Sequence, residues 1–188
     1  LELGSHLGGF MQAAEEWDWD PIALDIGRAT STFARRRGFE VSREVIEDTA
    51  LRASKFKAVF IWNCFDQLPD PAATLQHSWR LLKHHGLLVL RVPNVLFYRV
   101  LGRQFWHGAR DRFIVRALAY NNLLGFPYLY GYDAEALKSL VERHGFKYLR
   151  GFNSELLTMP FADLTRRIDS EQKSISAAVA DWSTRTTV

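Results

Sequence analysis

Three acidic sites in this 188-residue chain stand where an apolar run gives way to a loop: Glu2, Asp25 and the pair Glu47-Asp48. A carboxylate in such a place can cap a helix or accept hydrogen bonds from a ligand bound beyond the strand ends. Glu2 is followed at once by glycines, in LELGSHLGGF. Glycine at Gly4 and Gly8 lets the backbone turn tightly and lets a ligand approach without striking a β-carbon. The spacing Gly4-Ser-His-Leu-Gly8-Gly9 is not the G-x-G-x-x-G of a dinucleotide fold. Among the six histidines no pair has metal-ligand spacing, so no metal is expected. His84 and His85 fall in the turn before Gly86, His144 at a helix end and His77 on an amphipathic helix; all four read as structural. His107, beside Trp106, is the better candidate for contacting a substrate or removing a proton. The single cysteine, Cys64, excludes an internal disulfide framework and carries no nucleophile signature around it.

The elements that must hold these residues follow from the apolar runs. The first residues read as the end of a strand, 10–17 as a helix, and 21–26 as a buried parallel strand with Asp25 near its end. Residues 29–37 form a second helix closed by Gly38, and 39–46 a third strand running into Glu47-Asp48. Residues 57–62 are the clearest buried strand. Pro69-Asp-Pro71 then breaks the backbone before a helix over 72–83, and 86–92 form a fifth strand stopped by Pro93. Asp133 caps a helix that runs to Arg143 with Gly145 past its end, and 146–152 read as a sixth strand. Strands separated by helix or loop imply a parallel sheet with helices on both faces. Ligands of such a sheet bind outside the carboxyl ends of its strands, the edge that collects Glu2, Asp25, Glu47 and Asp48. An aromatic-rich insert, 94–132, leaves the same edge after the fifth strand. Trp106, His107, Tyr120 and Asn121 are its candidate substrate contacts, the alternative being that its rings pack a small core of their own.

Taken together, these residues resemble a known family. Glu2-x-Gly4-x-x-x-Gly8 looks like motif I of the class I S-adenosylmethionine-dependent methyltransferases. FKAVFIWNCFDQLPDPAATLQHSWRLLKHHGLLVLRVPN resembles the family's fourth strand, helix and fifth strand, and YDAEALKSLVERHGF is similar to the helix and Gly-Phe before its sixth. The resemblance covers roughly residues 1–152. It implies a Rossmann-like methyltransferase fold: α/β, a doubly wound, mostly parallel sheet with helices on both faces and a helical aromatic insert after the fifth strand. Residues 1–159 would be the methyltransferase domain, truncated at its start, and 160–188 a polar, helical C-terminal segment of the same domain. The implied cofactor is S-adenosylmethionine. Around it the family's pattern puts Glu2, Gly4, Ser5, His6, Gly8, Asp25, Ile26, Glu47, Asp48, Asn63 and Cys64. Asp25 would clamp both ribose hydroxyls, Glu2 would lie near the methionine ammonium, and Asp48 or Glu47 would meet adenine. A strand-end acid, a solvated chain-end glutamate and a surface acid pair are the bland readings of the same residues. Two departures stand out: His6 replaces the usual middle glycine of motif I, and Asp66-Gln67 replaces the Glu-His that many relatives carry. Asp66 and His107 are the candidate catalytic groups, and no segment of the sequence is assigned to the family's seventh, antiparallel strand.

The activity implied is in-line transfer of a methyl group to a small molecule, lipid or sugar intermediate. A cofactor-binding or scaffolding domain without turnover is the rival from another class. Composition bears on the rest. With 47% apolar and 13% aromatic residues the chain can bury a core, and one domain is expected. The excess of 24 basic over 21 acidic residues is small and scattered apart from Arg35-Arg36-Arg37, so nucleic acid is a poor partner, and the N-P-P-Y or paired cysteines of RNA methyltransferases are missing. No apolar run reaches the roughly 18 to 20 residues that span a bilayer. One cysteine and no signal-like start point to the cytoplasm, and a chain that opens without methionine inside a strand reads as a piece of a longer protein.

Overall fold

The computed structural model describes residues 1–96, 99 and 129–152. Its strands are β1 (Glu2–Leu3), β2 (Ile22–Leu24), β3 (Glu40–Ser42), β4 (Phe56–Trp62) and β5 (Leu82–Arg91). Among the described residues they form one sheet in the order β3-β2-β1-β4-β5, with every neighbouring pair parallel. Glu2 pairs with Ala23 on one side and Phe60 on the other, so β1 is central although it is two residues long. The chain divides into two compact units, Leu1–Leu149 and Arg150–Val188, and the sheet belongs to the first.

Successive side chains of a strand point to opposite faces, and both faces here are covered. Leu1, Leu3, Ile22, Leu24, Val59 and Ile61 pack on one face with Leu75 and Leu81 of α3 (Pro71–Leu81) and Val141 of α4 (Ala134–Arg143). On the other, Ala23 and Val41 meet Met11 of α1 (Gly9–Glu15) and Ala34 of α2 (Arg28–Arg36). Beside them the Phe10 ring lies 4.5 Å from Phe60, tilted against it, and meets Trp62 edge-on at 5.4 Å. Burial on both sides is why β2 reads as an unbroken apolar run rather than an alternating one. Ile61, Leu75 and Leu81 are fully buried, each stabilising the fold by about 1.5–3 kcal/mol.

The helix ends are set locally. Asp70 Oδ1 accepts the Ala73 N–H at 2.9 Å with Pro71 opening α3, and Asp133 Oδ1 accepts the Ala136 N–H at 2.8 Å to open α4. Such caps are worth about 1 kcal/mol each. Gly145 follows α4 at φ +87°, a conformation that a β-carbon disfavours.

The second strand is Ile22–Leu24 rather than 21–26, α3 ends at Leu81 rather than 83, and β5 opens at Leu82 rather than 86. Three further expectations change. The third strand is Glu40–Ser42 rather than 39–46, because it lies at the sheet edge and its one partner, β2, is three residues long. His84 and His85 lie within β5 instead of a turn: β5 starts directly after α3, but its pairing slips between Phe56–Leu82 and Ala58–Leu87. The extra residues bulge outward there, and the two imidazoles meet at 3.9 Å. The sixth strand over 146–152 is absent among the described residues. A strand needs a ladder partner, none of the described strands supplies one, and Leu149 and Phe152 are 70% and 86% exposed. The C-terminal segment 160–188 and most of the insert, residues 97, 98 and 100–128, lie outside the described residues. No described helix is long and apolar enough to cross a membrane.

Candidate cofactor site

The loop from Gly4 to Gly8 turns over the carboxyl ends of β1 and β2. Gly4 donates its N–H to Leu24 O at 2.8 Å, and Gly8 donates to Ser5 O at 2.9 Å. Gly4, His6 and Gly8 all have left-handed backbones, at φ +74°, +50° and +80°. The glycines answer to the chain itself. A β-carbon on Gly4 would stand 2.8 Å from Cys64 Sγ, and one on Gly8 would stand 2.7 Å from the Phe39 ring. Close packing of the loop on β4 and β3 therefore requires them, whatever binds above. His6, with a β-carbon, pays a strain of about 1 kcal/mol or more for the same turn, and its ring is exposed.

What holds His6 there is Asp25, the residue after β2. Asp25 Oδ2 accepts the His6 N–H at 2.6 Å, while Oδ1 accepts the Gly27 N–H at 2.8 Å and the Thr30 hydroxyl at 3.0 Å. Asp25 thus ties the glycine loop to the start of α2 and is itself 8% exposed. Arg37 fastens the same loop from below, donating to Leu7 O at 3.3 Å and to Gln12 Oε1. Sequence reasoning missed Thr30; the signal was a hydroxyl side chain three residues after Gly27, where an N-cap side chain would otherwise stand.

Glu2 is 3% exposed, and its Oε2 has no partner; the buried Ser5 hydroxyl also has none. Burial pushes the Glu2 carboxyl up to about 7; nearby Asp25 adds to the rise and the Leu1 amino group opposes it. Buried polar atoms without partners are rare, and at the carboxyl edge of a parallel sheet they fit a polar, cationic ligand group. Cys64 lies beneath Gly4, donating its thiol to Leu3 O at 3.3 Å. Burial first, then the carboxylates of Asp66, Glu2 and Asp25, pushes that thiol up to about 12, so it is no thiolate nucleophile. Asn63 follows β4 at φ +53°, exposed, with its N–H donated to Arg91 O at 2.9 Å.

The acid pair after β3 divides. Glu47 Oε1 accepts the Thr74 hydroxyl at 2.8 Å, which ties it to α3, whereas Asp48 is exposed. Ile26, next to Asp25, leaves an apolar side chain 68% exposed. Asp66 is 2% exposed, its carboxyl raised by burial, and its carbonyl accepts from the N–H groups of Leu129 and Tyr130, both at 3.0 Å. Asn94 and Tyr132 form a parallel bridge, with the Val95 N–H on Tyr132 O at 2.9 Å. The two ends of the insert therefore meet just past β4 and β5. Tyr130 belongs to this stem, its hydroxyl donated to Pro69 O at 3.0 Å. Trp106, His107, Tyr120 and Asn121 lie outside the described residues. Among the described residues no group of three or more His, Cys, Asp or Glu could hold a metal ion.

A five-stranded parallel sheet in this order, with a glycine loop at its carboxyl edge, defines a Rossmann-like α/β domain. Residues 1–150 match the family described as methyltransferase domain, and the chain belongs to that family. Its fold is similar to three solved S-adenosylmethionine-dependent methyltransferases. One from Mesorhizobium loti has a TM-score of 0.62 and 17% identity, over 92% of this chain and 83% of that one. One from Archaeoglobus fulgidus has a TM-score of 0.59 and 17% identity, over 92% and 76%. One from Thermotoga maritima has a TM-score of 0.57 and 21% identity, over 78% of this chain but only 63% of the Thermotoga protein. This chain thus spans less than two thirds of that relative. No curated protein matches it. S-adenosylmethionine is the family's cofactor, and the unpartnered Glu2 and Ser5 atoms, the free side of Asp25 and the exposed Ile26 and Asp48 fit it.

Proposed function

We propose that the domain transfers a methyl group from S-adenosylmethionine to a small-molecule, lipid or sugar-intermediate acceptor. The observation that carries this reading is the buried, unpartnered carboxyl of Glu2 at the carboxyl edge of the sheet, one loop away from the hydrogen-bonded Asp25. When bound, the cofactor supplies an electrophilic methyl on a sulfonium. Glu2 and Ser5 would hold the methionine end, its ammonium being the charge that a buried carboxyl lacks a partner for. Asp25 would hold the ribose, Ile26 would cover one face of adenine, and Asp48 would accept from its amino group. Glu47 is the weaker choice because Thr74 already occupies it. Asn63 would border the reacting end.

The acceptor wall is the insert. Its stem closes beside the ends of β4 and β5, which supports a role for Trp106, His107, Tyr120 and Asn121 in excluding water and aligning the acceptor. Much of the rate would come from holding the nucleophile in line with the methyl, so a dedicated base is not required. Asp66 is the candidate base among the described residues: its carboxyl is buried and raised by burial, and its Oδ1 has no hydrogen-bond partner. RNA is a poor acceptor: Arg35 and Arg37 of the one basic run are engaged with Val41 O, Leu7 O and Gln12. A cytoplasmic location is inferred from the lone thiol only.

Calorimetry on the full-length protein with S-adenosylmethionine and S-adenosylhomocysteine tests the reading, and no binding of either would sink it. Binding without transfer of labelled methyl to any acceptor would favour the rival, a scaffolding domain, for which the exposed His6 ring in motif I is the one observation.

A further inference from the structure

We infer that Thr30 restricts Asp25 to reading one hydroxyl of the cofactor's ribose, so that the site treats the two hydroxyl positions unequally. The inference rests on the cofactor reading above and narrows it. A carboxylate has about four acceptor directions, two on each oxygen. Both directions of Asp25 Oδ1 are filled from within the chain, by the Gly27 N–H at 2.8 Å and by Thr30 Oγ1 at 3.0 Å. Oδ2 accepts only the His6 N–H, at 2.6 Å, and keeps one direction free. A clamp on both hydroxyls needs two.

The Thr30 hydroxyl has a single proton and two acceptors in reach, Asp25 Oδ1 at 3.0 Å and Gly27 O at 3.2 Å. The charged acceptor makes the stronger bond, and Gly27 O is already taken by the Ser31 hydroxyl at 2.5 Å. Residue 27 makes this geometry available. A β-carbon there would collide with Thr30 Oγ1 and approach Asp25 Oδ1 to 2.9 Å, so only glycine lets the threonine reach over the N-terminus of α2. Thr30 acts through Asp25 and is a positioning residue.

The test measures affinities for S-adenosylhomocysteine and its 2′-deoxy and 3′-deoxy analogues in the full chain, as wild type, Asp25→Ala, Thr30→Val and Thr30→Ser. In the wild type, removing one of the two hydroxyls weakens binding by about tenfold through Asp25, a loss that vanishes in Asp25→Ala. The penalty for removing the other hydroxyl is the same with and without Asp25. Thr30→Val frees Oδ1, so the second hydroxyl gains a dependence on Asp25 and the two analogues draw together; Thr30→Ser keeps the wild-type pattern. Equal dependence of both analogues on Asp25 in the wild type overturns the inference. So does a Thr30→Val variant that lowers the melting temperature while leaving the ratio between analogues unchanged. A wild type that binds none of the three ligands overturns the cofactor reading itself, an outcome distinct from either.

Discussion

The backbone N–H of His6 lies 2.6 Å from Asp25 Oδ2, and that bond joins the loop after β1 to the end of β2. It makes one carboxylate responsible both for the shape of the glycine loop and for whatever ligand hydroxyl the loop faces.

Asp25→Ala therefore has two effects. The His6, Gly27 and Thr30 donors lose their acceptor, which lowers stability by about 1–3 kcal/mol in urea unfolding. Cofactor affinity falls by a further amount of about 1–3 kcal/mol at temperatures where the variant is folded. Unchanged affinity in a folded variant would leave Asp25 with a structural role only.

His6→Gly removes a β-carbon from a residue at φ +50°. Relief of the left-handed strain, about 1–2 kcal/mol, exceeds the added freedom of the unfolded chain, about 0.4–1 kcal/mol. A small net rise in melting temperature is expected. Affinity measured alongside reports on the imidazole: tighter cofactor binding means that the ring crowds the ligand, weaker binding that it makes a contact.

Gly4→Ala meets Cys64 Sγ at 2.8 Å and keeps a φ of +74° that alanine resists. The expected loss is about 1–3 kcal/mol. Cys64→Ala in the same chain removes the clash but not the backbone strain, so the double variant recovers part of the loss. Simple additivity of the two substitutions would show that Gly4 does not pack on the thiol.

Glu2 gives a pH signature. Its folded pKa is about 7 against 4.5 unfolded, so between these values the folded state holds more protons. The contribution is full below about pH 4.5 and is lost as pH rises through 7, a change of roughly 3 kcal/mol. Subtracting the stability profile of Glu2→Gln from that of the wild type isolates it, and a flat difference would mean the carboxyl is not desolvated. A cationic ligand prefers the ionised form, so cofactor affinity climbs as pH crosses 7 in the wild type and not in the variant.

The order of strands and helices over the first half of the chain was legible because β1 and β2 are buried on two faces and the helices carry stops of their own, such as Asp70-Pro71 and Gly38. Local chemistry of that kind is written in neighbouring residues. The extents of β3 and of residues 146–152 were not legible, since a strand ends where its partner ends and the partner is remote in sequence. The site divides in the same way. Residue types together with the family resemblance singled out Glu2, Gly4, Gly8 and Asp25 as candidates. Only the tertiary structure decided that Gly4 and Gly8 answer to Cys64 and Phe39, that Glu47 is taken by Thr74 while Asp48 is exposed, and that Thr30 fills one side of Asp25. Gly4 with Cys64 and Glu47 with Thr74 are contacts between residues 60 and 27 positions apart, set by which strands and helices the sheet brings together.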